Sequence, residues 1–265
     1  MQFDLLKSGY VIDTKIAALK FEDTVDVIEE WARIKKPSYV CICNTHSLVT
    51  ASNDRGFQEA LDKADLCTPD GMPLVWALKM LGFKDQDRVD GPKLMLKLCE
   101  NSILNKNRIF LFGSTPGTLE KMTKALKERY EGIIICGSYS PPFRDLTNQE
   151  EHEIVELINH SRPDIVFVGL GCPKQELWMS RNLMKMNTVM IGVGAAFDFI
   201  SGGKKRPPIF FQRIGLEWLF RLISDPKRLW KRYAYNNPMF IYKFIVTFRR
   251  NKLRRKLTAN IQTKL

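Results

Sequence analysis

No apolar run in this chain reaches the ~20 residues that a membrane-spanning helix needs. Nor does the N-terminus read as a secretory leader: Asp4 comes early and no long apolar stretch follows it. The six cysteines, at 41, 43, 67, 99, 136 and 172, include no CxxC pair, and most lie in apolar runs such as Tyr39–Cys43. That excludes a disulfide frame and a zinc knuckle, and leaves buried thiols in a reducing compartment. Two nucleotide signatures are missing as well. The glycine turn Gly113-Ser114-Thr115-Pro116-Gly117 is neither GxGxxG nor the Walker pattern, so it announces no dinucleotide and no ATP.

Acidic residues are scarce in one region only. From Lys204 onward there are 17 Lys/Arg against Glu217 and Asp225, a net +15, which leaves −3 for residues 1–203 of the +12 total. A mildly acidic globule therefore carries a basic tail suited to a polyanion: a membrane face, a phosphate-rich ligand or a nucleic acid. With 265 residues, 45% hydrophobic and 26% charged, the chain has material for a sizeable core.

The order of elements predicts an α/β fold, a Rossmann-like parallel sheet flanked by helices. A short hairpin is expected over 2–13, turning at Ser8-Gly9. A helix follows over 22–35, capped by Asp23 or Thr24. The apolar run Tyr39–Cys43 reads as a buried strand, 48–63 as one helix, and Ala64–Cys67 as a short strand. From 108 onward strands (108–112, 132–136, 164–168, 188–193) alternate with helices (118–130, 147–160, 174–186), the rhythm of a doubly wound sheet. Ligands of such sheets collect beyond the carboxyl ends of the strands. Three of those ends are glycine-rich: Gly113–Gly117, Gly169–Glu176 and Gly192–Asp198. Residues 1–203 form this core, and 204–265 a basic, amphipathic, helical appendage.

One turn stands out, Thr68-Pro69-Asp70-Gly71-Met72-Pro73. Pro69 and Gly71 force a bend, and Met72–Leu81 then reads as a helix apolar nearly all round and so buried. Asp70 at its mouth is either an N-cap or a general base supported on a rigid element. Asp85-Gln86-Asp87 resembles a metal-holding DxD, but it sits in a charged loop after a helix and reads as a solvated turn. Arg88, beside Asp90 and Gly91, is either a phosphate fork or half of a surface ion pair. In the tail, Phe210, Ile214, Trp218 and Phe220 interleave with Arg213, Arg221, Lys227, Arg228, Lys231 and Arg232. A second apolar segment, 239–248, precedes Arg249-Arg250. This is the composition of an interfacial helix on anionic lipid, with packing on the core the lesser expectation for 239–256.

Taken together, these stretches resemble the WecG/TagA/CpsF family of bacterial glycosyltransferases. The resemblance is carried by Ala64-Asp65-Leu66 with Pro69–Trp76, Arg88-Val89 with Gly91-Pro92, and Phe112-Gly113-Ser114. It continues through Pro163–Gly171 with Pro173–Glu176, Gly192–Ala195 with Phe197-Asp198, and Gly215–Trp218 with Arg221 and Pro226–Arg228. The resemblance implies inverting, metal-independent and cofactor-free transfer of a hexosamine, hexosaminuronate or hexose. The sugar passes from UDP to an undecaprenyl-diphosphate-linked acceptor at the inner face of the cell membrane. It implies Asp70 as the base and Asn44, Thr45, Arg88 and Gln175 as substrate contacts; the glycine-rich strand ends themselves offer Gly113, Ser114, Gly169 and Gly171 as further contacts to a phosphate-bearing ligand. Arg213, Arg221 and Arg228 are the candidate appendage arginines. N-acetylmannosamine is the default sugar, with glucose or the uronate as alternatives. His46 departs from several members, so the donor is not fixed by them. A homo-oligomer is left open. The rival class is a nucleic-acid-binding module using the +15 tail.

Overall fold

The computed structural model describes residues 6–262. An antiparallel hairpin, β1 (Ser8–Val11) and β2 (Thr14–Ala17), precedes the sheet. Its turn falls at Ile12-Asp13 rather than Ser8-Gly9, with Ile12 at φ 58°; Phe3 and Leu5 lie outside the described residues. Six parallel strands make the main sheet: β3 (Ser38–Cys43), β4 (Leu66–Pro69), β5 (Arg108–Gly113), β6 (Ile134–Tyr139), β7 (Ile165–Gly169) and β8 (Val189–Gly192). Their order is β4-β3-β8-β7-β5-β6. The expected Rossmann-like architecture is present. Strand β4 ends two residues later than the pattern suggested, because it is an edge strand and tolerates Pro69, which has no N–H to donate.

Helices cover both faces. On one lie α1 (Phe21–Arg33), α5 (Gly91–Asn105), α6 (Pro116–Arg129) and α9 (Ala196–Ile200), closing a core that includes Ile28, Leu94, Met122 and Phe197. On the other lie α2 (Thr45–Ala51), α3 (Arg55–Asp62), α4 (Met72–Met80), α7 (Asn148–His160) and α8 (Lys174–Asn182). The single helix expected over 48–63 is two, because Asn44 caps the first and Asp54 the second. Helix α1 has no side-chain cap from its own first turn, so neither Asp23 nor Thr24 serves. Asp87 does so from 66 residues away, its Oδ1 accepting the Phe21 N–H at 3.0 Å. Neighbouring Gln86 is buried and donates to the Leu19 carbonyl at 2.6 Å. The Asp85-Gln86-Asp87 turn is therefore a structural clip, not a merely solvated loop.

The appendage comprises α10 (Ile209–Arg213), α11 (Glu217–Ser224) and α12 (Pro226–Gln262). Helix α12 packs along α2 and contributes Phe240 and Phe244 to the core of that face. The expectation that 239–256 stands off the core is thus corrected: every third or fourth residue (Asn236, Phe240, Phe244, Thr247) is buried, and Ile241, Tyr242, Ile245 and Val246 face out. Helix α4 is also less enclosed than its composition suggests, since Trp76 and Met80 are exposed. No helix among the described residues is long and apolar enough to cross a membrane.

Candidate active site

The Asp70 backbone N–H donates to the Cys43 carbonyl at 2.7 Å, extending the β3–β4 ladder by one residue. The chain then turns at Gly71, whose φ of 98° few other residues adopt. Gly71 takes the N-cap position of α4, and that helix has no side-chain cap. This removes the capping role from Asp70 and frees its carboxylate. Arg88 lies beside it because Val89 N–H donates to the Pro69 carbonyl at 3.1 Å. Arg88 donates from Nε (2.9 Å) and Nη2 (2.7 Å) to the same oxygen, Asp70 Oδ1. Of the two open readings of Arg88, an ion pair is what forms, but not on the surface: the side chains are 14% and 18% exposed. Burial raises the Asp70 pKa above the ordinary carboxylate value, and Arg88 offsets only part of that.

The third arm of Arg88 reaches the appendage. Its Nη1 donates to Glu217 Oε2 at 2.6 Å, and Glu217 Oε1 accepts from Arg221 Nη2. Burial alone would raise Glu217, but Arg221 and Arg88 outweigh it and hold the pKa low. A relay of alternating charge, Asp70–Arg88–Glu217–Arg221, thus ties the end of β4 to α11. Arg221 also lies over the Phe199 ring at 5.1 Å. Arg228 is brought less close; it is exposed and pairs with Asp225 at 2.6 Å. The Arg213 side chain lies outside the described residues. Two residues that were not among the expected site residues belong here. Glu217 is one of only two acids in the tail, a signal in itself. Arg232 is half-buried on α12, its Nε without a hydrogen-bond partner among the described residues.

Next to this relay, Asn44 directly follows β3 and caps α2, its Oδ1 accepting from His46 N (3.0 Å) and Ser47 N (3.2 Å). Thr45 Oγ1 meets Asn237 Oδ1 at 3.4 Å. Burial, with Arg232 nearby, pushes the His46 imidazole down to about 4, so the ring is neutral at pH 7. Asn236 Nδ2 can only donate, so the 3.1 Å contact makes His46 Nδ1 the acceptor and leaves the proton on Nε2. These contacts seat α12 on the first turn of α2.

The far end of the site lies across β8, at β7 and β5. Two strand spacings, about 10 Å, separate β3 from β7. Ser114 N–H donates to the Gly169 carbonyl at 3.2 Å, and a Cβ on Gly113 would come within 2.6 Å of the Gly169 backbone. Ser114 itself has φ 58°, a conformation uncommon outside glycine. A cavity of about 560 Å³ opens there, lined by Ser114, Gly169, Leu170, Lys174, Arg144 and Arg181 among others. Gln175 follows the lining residue Lys174 but does not itself line the cavity, and it is only 3% exposed. Its Oε1 accepts the Gly171 N–H at 3.2 Å and its Nε2 donates to Glu176 Oε1 at 2.8 Å. Glycines at 192 and 194 leave room for that amide: a Cβ on Gly192 would lie 2.9 Å from Gln175 Nε2.

The geometry joins a base-like carboxylate, a cationic bridge to a helical appendage and a cavity at a glycine-rich sheet edge. The family model described as "Glycosyl transferase WecG/TagA/CpsF family" matches residues 10–255. This chain belongs to that family. An N-acetylglucosaminyldiphosphoundecaprenol N-acetyl-beta-D-mannosaminyltransferase of Bacillus spizizenii is 32% identical over 199 residues, 74% of this chain and 75% of that protein. A protein of the same name from Staphylococcus aureus is 30% identical over 215 residues, 81% and 82% of the two chains. The family match runs through α11 and most of α12. The basic appendage of this glycosyltransferase is therefore within the family's common unit, not an addition to it.

Proposed function

We propose that this glycosyltransferase moves N-acetylmannosamine from UDP to an undecaprenyl-diphosphate-linked N-acetylglucosamine, with inversion at the transferred carbon. The sugar and the acceptor rest on the names of the relatives. The single observation that carries the mechanism is the one-sided hold on Asp70: both Arg88 bonds go to Oδ1. Oδ2 is left to accept the proton of the acceptor hydroxyl as that oxygen attacks. A base works best when its pKa approaches the working pH, and burial moves Asp70 in that direction.

The leaving UDP develops negative charge and needs donors. Arg221 and Arg232 supply it from the appendage, with Arg228 at its edge and Arg88 between them and the base. Cations fixed in a half-buried site do this without a metal. The uridine end takes the Ser114–Gly169 cavity, whose lining residues Ser114 and Leu170 directly follow Gly113 and precede Gly171 in the chain. Asn44 and Thr45, at the first turn of α2, lie where the acceptor sugar meets Asp70.

A membrane face completes the reading. Ile209, Phe210, Ile214 and Ile223 of the appendage are exposed, as are Trp76 and Met80 of α4. A Cβ on Gly215 would come within 2.9 Å of the Trp76 ring, so the appendage backbone runs close against α4 there. With the excess of Lys/Arg, this face suits the anionic inner leaflet on which a lipid-linked acceptor resides. The test is transfer from UDP-N-acetylmannosamine to the lipid-linked acceptor on anionic vesicles with EDTA present, read by mass change. Asp70→Asn is expected to keep UDP binding and lose at least ~10²-fold in turnover. Transfer that stops in EDTA and returns with Mn²⁺ would overturn the arginine-based reading.

A further inference from the structure

Glu176 is difficult to explain as a helix-stabilising residue. An acid in a first helical turn ordinarily faces solvent, where it complements the helix dipole. Here it opens α8 but turns inward and is 2% exposed. No cation pairs with it among the described residues. The titratable groups around it are thiols: Cys41 and Cys43 of β3, Cys67 of β4, and Cys172 of the preceding loop. Its Oε2 is buried without a hydrogen-bond partner among the described residues. Burying a carboxyl in this way is unfavourable, and an apolar side chain of the same size would fill the space better.

What the residue does is made by its other oxygen. Oε1 accepts the Gln175 Nε2–H at 2.8 Å. That contact decides which way round the Gln175 amide lies, because only the nitrogen end can donate to a carboxylate. With Nε2 committed, Gln175 Oε1 faces the Gly171 N–H and accepts it at 3.2 Å. Gly171 sits at φ 82°, directly after Gly169 and Leu170, which line the cavity beside Ser114.

We propose that Glu176 is a positioning residue for sugar transfer: it fixes the Gln175 amide, and through it the Gly169–Pro173 loop that shapes the nucleotide end of the site. The proposal rests on reading that cavity as the UDP site. Burial raises the Glu176 carboxyl to about 7, and either protonation state still presents Oε1 as an acceptor.

The test uses the full chain and three substitutions, Glu176→Met, Glu176→Gln and Gln175→Met, with the Met/Met double variant. Glu176→Met removes the acceptor at similar volume, and a cooperative melt confirms its fold. It is expected to raise KM for the UDP-sugar about tenfold with kcat within about threefold. In hydrogen–deuterium exchange, the peptide covering 169–173 should exchange faster, the rest of the sheet being unchanged. Glu176→Gln keeps an acceptor oxygen and should return KM to within about threefold of the parent. Gln175→Met should match Glu176→Met, and the double variant should be no worse than either. Unchanged KM and exchange in Glu176→Met, additive losses in the double variant, or no recovery with Gln would each overturn the proposal. If exchange at 169–173 responds but the parent protein does not bind UDP, the link from Glu176 to the loop stands and the nucleotide reading fails.

Discussion

If Glu176 is retained for Gln175 and not for the fold, its removal should stabilise the protein, and by an amount that depends on pH. The carboxyl titrates at about 7 in the folded chain against an ordinary value of 4.5. That difference, at 1.36 kcal/mol per pK unit, corresponds to about 3 kcal/mol. The sign follows from proton counts. Between 4.5 and 7 the folded state holds a proton that the unfolded state has released. Stability therefore falls as pH rises through this window, and above 7 the folded protein carries the full penalty of a buried carboxylate. Glu176→Met has no such group. At pH 5, only just inside that window, it should differ from the parent mainly through the packing change, on the order of 1 kcal/mol for a swap at similar volume. At pH 8 it should gain up to about 3 kcal/mol more, or roughly 6–12 °C in Tm for a domain of this size. Urea unfolding followed by circular dichroism at the two pH values measures it, each compared at constant m. A parent-to-variant difference that is the same at pH 5 and pH 8 would refute the reasoning. So would a variant less stable at pH 8, since either requires a stronger partner for the carboxylate than the described residues provide.

The ion relay makes two further expectations. Arg88→Met leaves the Asp70 and Glu217 carboxylates without their shared partner in a half-buried site and should cost about 3 kcal/mol in urea unfolding. Glu217→Gln keeps the Arg88–Asp70 pair and should cost no more than about 1 kcal/mol. On the proposed role of Asp70 as an ionised base whose pKa burial raises, kcat/KM should fall as pH drops through a value above the ordinary carboxylate range. Glu217→Gln should move this acid limb to lower pH, because Glu217 is one of the negative neighbours that raise Asp70. Finally, Phe240→Ala and Phe244→Ala should each cost about 3–5 kcal/mol if α12 is part of the core face. Ending the chain at 206 should then yield an unstable, aggregating core, the outcome expected when the α2 surface under α12 is uncovered.

Much of the fold was legible because buried parallel strands write themselves as short apolar runs between turns. Tyr39–Cys43 and Ile165–Gly169 are of this kind, and both are strands of the central sheet. Boundaries failed where long-range contacts decided them. The break between α2 and α3 follows from two local caps and was legible in principle at Asn44 and Asp54. The Asp87 cap on α1 was not, since no local pattern joins residues 66 apart. In the site, Asp70 and Arg88 were picked out by turn chemistry and charge. Their pairing, and the loss of the capping role, depended on which oxygen and which N–H the fold brought together.

The sequence by itself determined the sheet, the glycine turns at its edge, the basic tail and the family, because periodicity, turn residues and charge are properties of neighbours along the chain. Only the tertiary structure decided that the tail is bolted to the core through Phe240, Phe244 and the Arg88–Glu217 contact. It alone decided that Gln175 faces inward, held between Gly171 and a buried Glu176 that no cation pairs with among the described residues. The physical reason is the same in each case. A hydrogen bond or an ion pair is fixed by angstrom-scale distances between groups remote in sequence, and the energetic cost of burial falls on whichever side chain the packing encloses.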